Sequence, residues 1–204
     1  MIQKIVDALE KEYPNAECSL NFSNPLELMI AVILSAQSTD AMINKITPKL
    51  FSELKTAEDF ANCDIKHLEE LVKSSGFYHN KAKNIKANCK ILAEKFNGQV
   101  PDTMEELTSL PGVGRKTANV VLLNAFNKCE GIAVDTHAKR ISNRIGLSYS
   151  DDPLKIEKDL LDKIPKQDWS KMNHLFVYHG RAVCTSKKPM CEKCCVNTWC
   201  KKIL

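Results

Sequence analysis

The chain has 204 residues, enough for one large or two small domains. Apolar residues make up 44% and charged residues 26%, which argues against a disordered chain and allows a sizeable core. A net charge of +4 is a mild bias toward polyanions that would equally suit many soluble enzymes.

Taken in order, the sequence reads as helical throughout. Met1 to Tyr13 mixes Lys4, Asp7, Glu10 and Lys11 with Ile2, Ile5, Val6 and Leu9, the spacing of an amphipathic helix and not of a secretory leader. Asn24-Pro25-Leu26-Glu27 offers a cap, a proline at the first helical position and an acid at the third. The apolar run Leu28 to Leu34 that follows suits a buried central helix and is too short to span a bilayer. Gly76, Gly98 and Gly146 each follow a periodic segment and read as helix stops. Tyr78 to Phe96 places Ile85, Cys89, Leu92 and Phe96 on one face. Thr103 and Glu106 form a second capping box. Asp152-Pro153 opens a helix carrying Leu154, Leu160 and Leu161, and Asp168 to Val183 reads as a last long helix. Roughly nine or ten helices of the usual length are expected, with no strand and no internal repeat.

Three local patterns carry chemistry. In Leu110-Pro111-Gly112-Val113-Gly114-Arg115-Lys116-Thr117-Ala118, Pro111 ends one helix and the glycines permit a tight turn and a close backbone approach. The next helix then starts near Arg115, and its free amides and dipole suit a phosphate. Position alone leaves Lys116 as a solvated or phosphate-binding lysine. The positive end of the helix dipole, together with partial burial, would favour the neutral amine that Schiff-base chemistry needs. Ile132 to His137 delivers Asp135 to another helix start, where it can be a cap, a catalyst or both. His137 reads as a structural hydrogen-bonder. Nine cysteines are many, and five of them fall after residue 183. Without a secretory leader, the cluster Cys184, Cys191, Cys194 and Cys200 points to metal, either zinc or iron–sulfur. The scattered Cys18, Cys63, Cys89 and Cys129 read as small core hydrophobes.

Together L-P-G-V-G-R-K-T-A and V-D-T-H resemble the endonuclease III family of base-excision glycosylases, with the helix-hairpin-helix motif of DNA-binding repair proteins. The spacing C-x6-C-x2-C-x5-C resembles that family's [4Fe-4S] loop, with Cys195 extra to it. Leu34 to Asp40 and Gly76 to Ala82 resemble two further family segments. From Pro25 to Cys200 the resemblance covers most of the chain.

It implies an all-α, two-domain helix-hairpin-helix DNA glycosylase fold. Residues 20–127 would form a six-helix domain carrying the hairpin, and 1–19 plus 128–204 an iron–sulfur cluster domain, with the active-site groove between them. It implies Lys116 as nucleophile and Asp135 as essential carboxylate. Gln37 would fill the DNA stack opposite a flipped base and Phe77 would act as a wedge; otherwise Gln37 is a polar loop residue and Phe77 packs a helix end. Gly112, Gly114 and Arg115 would meet the phosphate backbone, as would Lys187 and Lys188 from the cluster loop. The expected partner is double-stranded DNA with a damaged base or abasic site. The expected protein is a monomer without membrane contact or targeting segment, in the cytoplasm with the nucleoid. Alternatives are a monofunctional adenine or mismatch glycosylase and a non-catalytic iron–sulfur redox sensor that binds DNA. Lys116 argues for the bifunctional branch.

Overall fold

A computed structural model describes residues 1–203. Among them are eleven α-helices, four short 3₁₀ turns and no strand. Periodicity alone suggests nine or ten helices. The surplus lies in pieces such as Ala57–Asn62 and Ile65–Val72, too short to display a helical period. Both are marked by caps instead. Thr56 and Asp59 form a reciprocal capping box, and Asp64 accepts from the amides of Lys66 and His67.

The chain divides into two compact units, residues 18–128 and residues 1–17 with 129–204. The first is built on α2 (Pro25–Ser35), in which Leu26 and every residue from Leu28 to Leu34 are buried. Asn24 caps α2 by accepting from the Glu27 amide at 2.9 Å. Glu27 reaches back to the amide of Ser23 at 2.7 Å, one residue further out than the box required. Around α2 stand α3 (Asp40–Glu53), α4 (Ala57–Asn62), α5 (Ile65–Val72), α6 (Tyr78–Lys95), α7 (Met104–Thr108) and α8 (Arg115–Phe126). α8 packs on α2 and α7, and α6 packs on α4 and α5. Ile85, Cys89 and Leu92 are buried on the inner face of α6, as their spacing demands.

The second unit packs α1 (Ile2–Glu12) with α9 (Thr136–Ile145), α10 (Pro153–Lys163) and α11 (Trp169–Ala182). Its core joins Ile5, Val6 and Leu9 to Ile141, Ile145, Ile156, Leu160, Met172 and Phe176. Leu154 is not part of it: at 60% exposure it lies outside, and Ile156 and Leu160 hold the inner face of α10. No helix among the described residues is long and apolar enough to cross a membrane.

Candidate nucleic-acid interface and metal centre

In the unit 18–128, α7, the turn at 110–114 and α8 form a helical hairpin. The Val113 amide donates to the Leu110 carbonyl at 3.1 Å, closing the turn. Gly112 takes φ +73°, the left-handed region where a Cβ is strained. A Cβ there would also meet Asn84 Nδ2 at 2.5 Å. Gly114 differs: its φ is −91°, and a Cβ would meet nothing within 4 Å. Gly112 therefore serves the fold, while Gly114 keeps the start of α8 open. Gly114 is the N-cap of α8 and, having no side chain, cannot itself cap the helix, which suits the phosphate contact expected from the sequence. Behind the turn, buried Asn88 donates through Nδ2 to the Pro111 carbonyl at 3.0 Å. Asn88 was legible as a polar residue on the buried face of α6, next to Cys89.

Lys116 lies in the first turn of α8 and is exposed. The partial burial expected from sequence is corrected: residue 116 falls on the outer side of α8, while Ala118, Asn119, Val121 and Leu122 take the inner side. Arg115 beside it is exposed too.

One loop follows α2 and another precedes α6. Ala36 has φ −56° and ψ 117°, Gln37 has φ +55°, and the Ser38 amide donates to the Ser35 carbonyl at 3.0 Å. That is a type II turn with glutamine where glycine is favoured. Phe77 is likewise left-handed (φ 48°, ψ 30°) and stands 67% exposed at the N-cap of α6. Packing of a helix end does not account for Phe77. A large apolar ring held outward in a costly conformation matches the kind of local strain that gathers at functional sites.

In the other unit, Asp135 is the half-buried N-cap of α9, and its Oδ1 accepts from the Ala138 amide at 2.7 Å. His137 is held by Arg140, whose Nη2 lies 3.0 Å from Nδ1, and Gly180 leaves both side chains their room. That is the structural role expected of it.

Cys184, Cys191, Cys194 and Cys200 line one partly open pocket, together with Arg144, Asn197 and Lys202. Cys195 is not on its wall, although it packs against the unit's core as Cys184, Cys194 and Cys200 also do. All nine cysteines are free of disulfides. The four thiols surround the space without closing on one point: no three His, Cys, Asp or Glu side chains among the described residues gather tightly enough to hold a single ion. Three of the sulfurs have nitrogen neighbours. Arg144 Nη1 donates to Cys184 Sγ, the Lys202 amide donates to Cys200 Sγ, and His179 Nε2 lies against Cys194 Sγ, each at 3.4 Å. Burial pushes buried His179 down to about 4, so its ring is neutral near pH 7. Tyr13 Oη lies 3.0 Å from Nδ1 of that ring, an arrangement satisfied when Tyr13 donates there and Nε2 donates to the sulfur. Arg144 also donates to the carbonyls of Thr185 and Ser186, pinning the loop on which Lys187 and Lys188 are exposed. Sequence reasoning passed over Arg144, His179 and Tyr13. The polar Arg144 in the last turn of an amphipathic helix gives no sign of partners some 40 residues away.

Comparison with known proteins places this architecture. The HhH-GPD superfamily base excision DNA repair protein family matches residues 30–166. Endonuclease III of Synechocystis sp. (strain ATCC 27184 / PCC 6803 / Kazusa) is 50% identical over 94% of this chain and 87% of its own length. Endonuclease III of Bacillus subtilis (strain 168) is 44% identical over 98% and 92%. A solved structure of a trapped endonuclease III–DNA covalent intermediate, an estranged-adenine complex, superposes with a TM-score of 0.94 at 44% identity, covering 98% of this chain and 94% of that one. The chain belongs to the endonuclease III family of helix-hairpin-helix base excision DNA repair proteins.

Proposed function

We propose that this protein is a bifunctional DNA glycosylase and abasic-site lyase, with Lys116 as the amine nucleophile and Asp135 as its carboxylate partner. The observation that carries the reading is the position of Lys116. It is exposed in the first turn of a helix whose N-cap is a glycine, directly after a glycine hairpin, in a chain of the endonuclease III family. A relative of the same fold has been captured as a covalent intermediate with DNA, as amine catalysis requires.

The steps follow from that chemistry. DNA docks through phosphates at Gly114 and Arg115, on the turn that Gly112 shapes, and on the loop bearing Lys187 and Lys188, independently of sequence. The damaged nucleotide leaves the stack, with Phe77 as wedge and Gln37 filling the gap, which offsets the few kcal/mol of unstacking. The amine of Lys116 attacks C1′ of the deoxyribose, and the bond from C1′ to the base breaks with its electron pair leaving on the base. Asp135, oriented by the Ala138 amide that donates to its Oδ1, stabilises the positive charge on the sugar and receives the amine proton. The C1′–O4′ bond then breaks, O4′ takes the proton held by Asp135, and an imine forms between Lys116 and C1′. Removal of a C2′ proton then expels the 3′ phosphate and breaks the strand 3′ to the lesion. Water hydrolyses the imine and frees the lysine. The substrates are oxidised or ring-saturated pyrimidines and abasic sites in duplex DNA, and the place of action is the nucleoid.

Proteins of this family carry an iron–sulfur cluster. Here Cys184, Cys191, Cys194 and Cys200 would hold it as [4Fe-4S]. A shared cavity walled by four thiols and approached by nitrogen donors suits a polynuclear centre of sulfide and thiolate charge. Bound there, the group supplies order to the loop and no chemistry at the base. Burial holds the thiols of Cys194 and Cys200 above their ordinary range, so metal loading must displace their protons.

The test is a duplex carrying a single thymine glycol. Wild type should release the base and nick the strand in equal amounts, while Lys116→Ala and Asp135→Asn should do neither. Base release by wild type without a nick would reassign the protein to a monofunctional glycosylase. Binding with neither product would remove the enzymatic reading.

A further inference from the structure

Lys81 is the one lysine among the buried polar residues, at 6% exposure, and it is held by backbone carbonyls and not by a carboxylate. Taking an ammonium out of water is costly unless its hydrogen bonds are replaced. Here Nζ donates to the Leu34 carbonyl at 2.8 Å and to the Ser75 carbonyl at 2.7 Å. Both acceptors are special. Leu34 lies in the last turn of α2, where carbonyls lack helical partners and the dipole favours a cation. Ser75 ends the 3₁₀ turn Lys73–Ser75. Gln37 follows the first carbonyl by three residues, and Phe77 follows the second by two. Both residues are left-handed, so each loop needs an anchor that holds it against relaxation.

We infer that Lys81 is a positioning residue that ties the Gln37 loop to the Phe77 loop, so that plug and wedge enter the DNA stack as one rigid pair. The ammonium bonds to the backbone of both loop bases at once. Its side chain rises from the first turn of α6, whose N-cap is Phe77 itself. Burial lowers the affinity of Lys81 for its proton, which fits a cation retained for geometry and not for solvation. The inference rests on the assignment of Gln37 and Phe77 as the stack-entering residues.

Lys86 provides an internal control. It also donates to two carbonyls, Ala61 at 2.7 Å and Cys63 at 2.5 Å, but neither neighbours Gln37 or Phe77. The experiment uses the full, cluster-loaded protein and two duplexes, one undamaged and one with a tetrahydrofuran abasic analogue beside 2-aminopurine. The readings are affinity for each duplex and the fluorescence rise on unstacking. Lys81→Met should bind undamaged duplex within about twofold of wild type, bind the lesion duplex about tenfold more weakly, and lose most of the fluorescence rise. Lys81→Arg, whose forked donors can reach two carbonyls, should recover much of it. Lys86→Met should keep the full rise. Should Lys81→Met not fold, Lys81→Gln, which retains a short donor in the pocket, carries the same comparison. An unchanged rise in the folded Lys81 variant, or an equal loss in Lys86→Met, overturns the inference. Gln37→Ala and Phe77→Ala separate the two levels. If they too leave the rise intact, the assignment of plug and wedge fails; if they abolish it while the Lys81 variant does not, only the coupling fails.

Discussion

The two glycines of the hairpin look alike in the sequence and should behave differently when each is replaced by alanine. Gly112 sits at φ +73°, where an L-residue pays roughly 1–2 kcal/mol. Its new Cβ would also stand 2.5 Å from Asn84 Nδ2 and 3.1 Å from Asn84 Cγ. Asn84 is half-buried and its amide can swing aside, so the clash adds about 1 kcal/mol and not the cost of moving backbone. Gly112→Ala should therefore destabilise by about 2–3 kcal/mol, a fall in melting temperature of roughly 4–12 °C for a chain of this size. Gly114 has an extended backbone and open space around its Cα. Gly114→Ala should change stability by no more than about 0.5 kcal/mol, because reduced freedom in the unfolded chain offsets a poorer cap. It should still weaken duplex binding by about tenfold, because the methyl stands where phosphate must approach the start of α8. Thermal unfolding and fluorescence anisotropy on one pair of variants read both quantities. A Gly112→Ala protein melting with wild type would refute the claim that the turn needs a left-handed residue. Equal losses of stability in the two variants would refute the division between fold and phosphate.

Other consequences can be checked independently. Cys191→Ser should abolish the visible thiolate-to-iron absorption while Cys195→Ser keeps it, since Cys191 lines the cavity and Cys195 does not; loss in both would remove the four-ligand assignment. Replacing Lys187 and Lys188 together by alanine should lower the slope of log affinity against log salt by roughly 0.9 for each phosphate that is no longer neutralised, without changing preference among DNA sequences; an unchanged slope would take that loop off the backbone. Burial pushes the Cys89 thiol up to about 12 from the ordinary 9. A folded-state value above the unfolded one contributes stability that is complete below pH 9 and is lost as pH rises from 9 toward 12, by up to about 1.4 kcal/mol per unit. The stability gap between wild type and Cys89→Ala should therefore narrow between pH 8 and pH 10.5 in urea titrations, and a constant gap would contradict the burial of that thiol.

What could be read in advance depended on how local the signal was. Asn24, Thr103, Asp135 and Asp152 announced helix starts because a cap is a contact between residues two or three apart. Gly76, Gly98, Gly112 and Gly146 announced left-handed turns because only glycine enters them cheaply. The same rule hid Gln37 and Phe77, which adopt that conformation against their preference. Partial burial of Lys116 was expected at the start of its helix, but the face of α8 that meets α2 decides exposure, and position 116 is off that face. Lys81 and Asn88 sit on the apolar face of α6 at the spacing of Ile85, Cys89 and Leu92, and their polarity there was a visible sign of buried partners. Arg144 and the pair Tyr13 and His179 act over 40 or more residues of sequence, and no local pattern points to such contacts.

The central claim is that Lys116 forms an imine with the deoxyribose. The direct measurement is borohydride reduction of the protein on duplex DNA containing an abasic site, followed by digestion and mass spectrometry of the linked peptide. The account predicts a covalent adduct mapped to Lys116, absent in Lys116→Ala although that variant still binds the duplex. An adduct that persists in Lys116→Ala, or maps to another lysine, would contradict it.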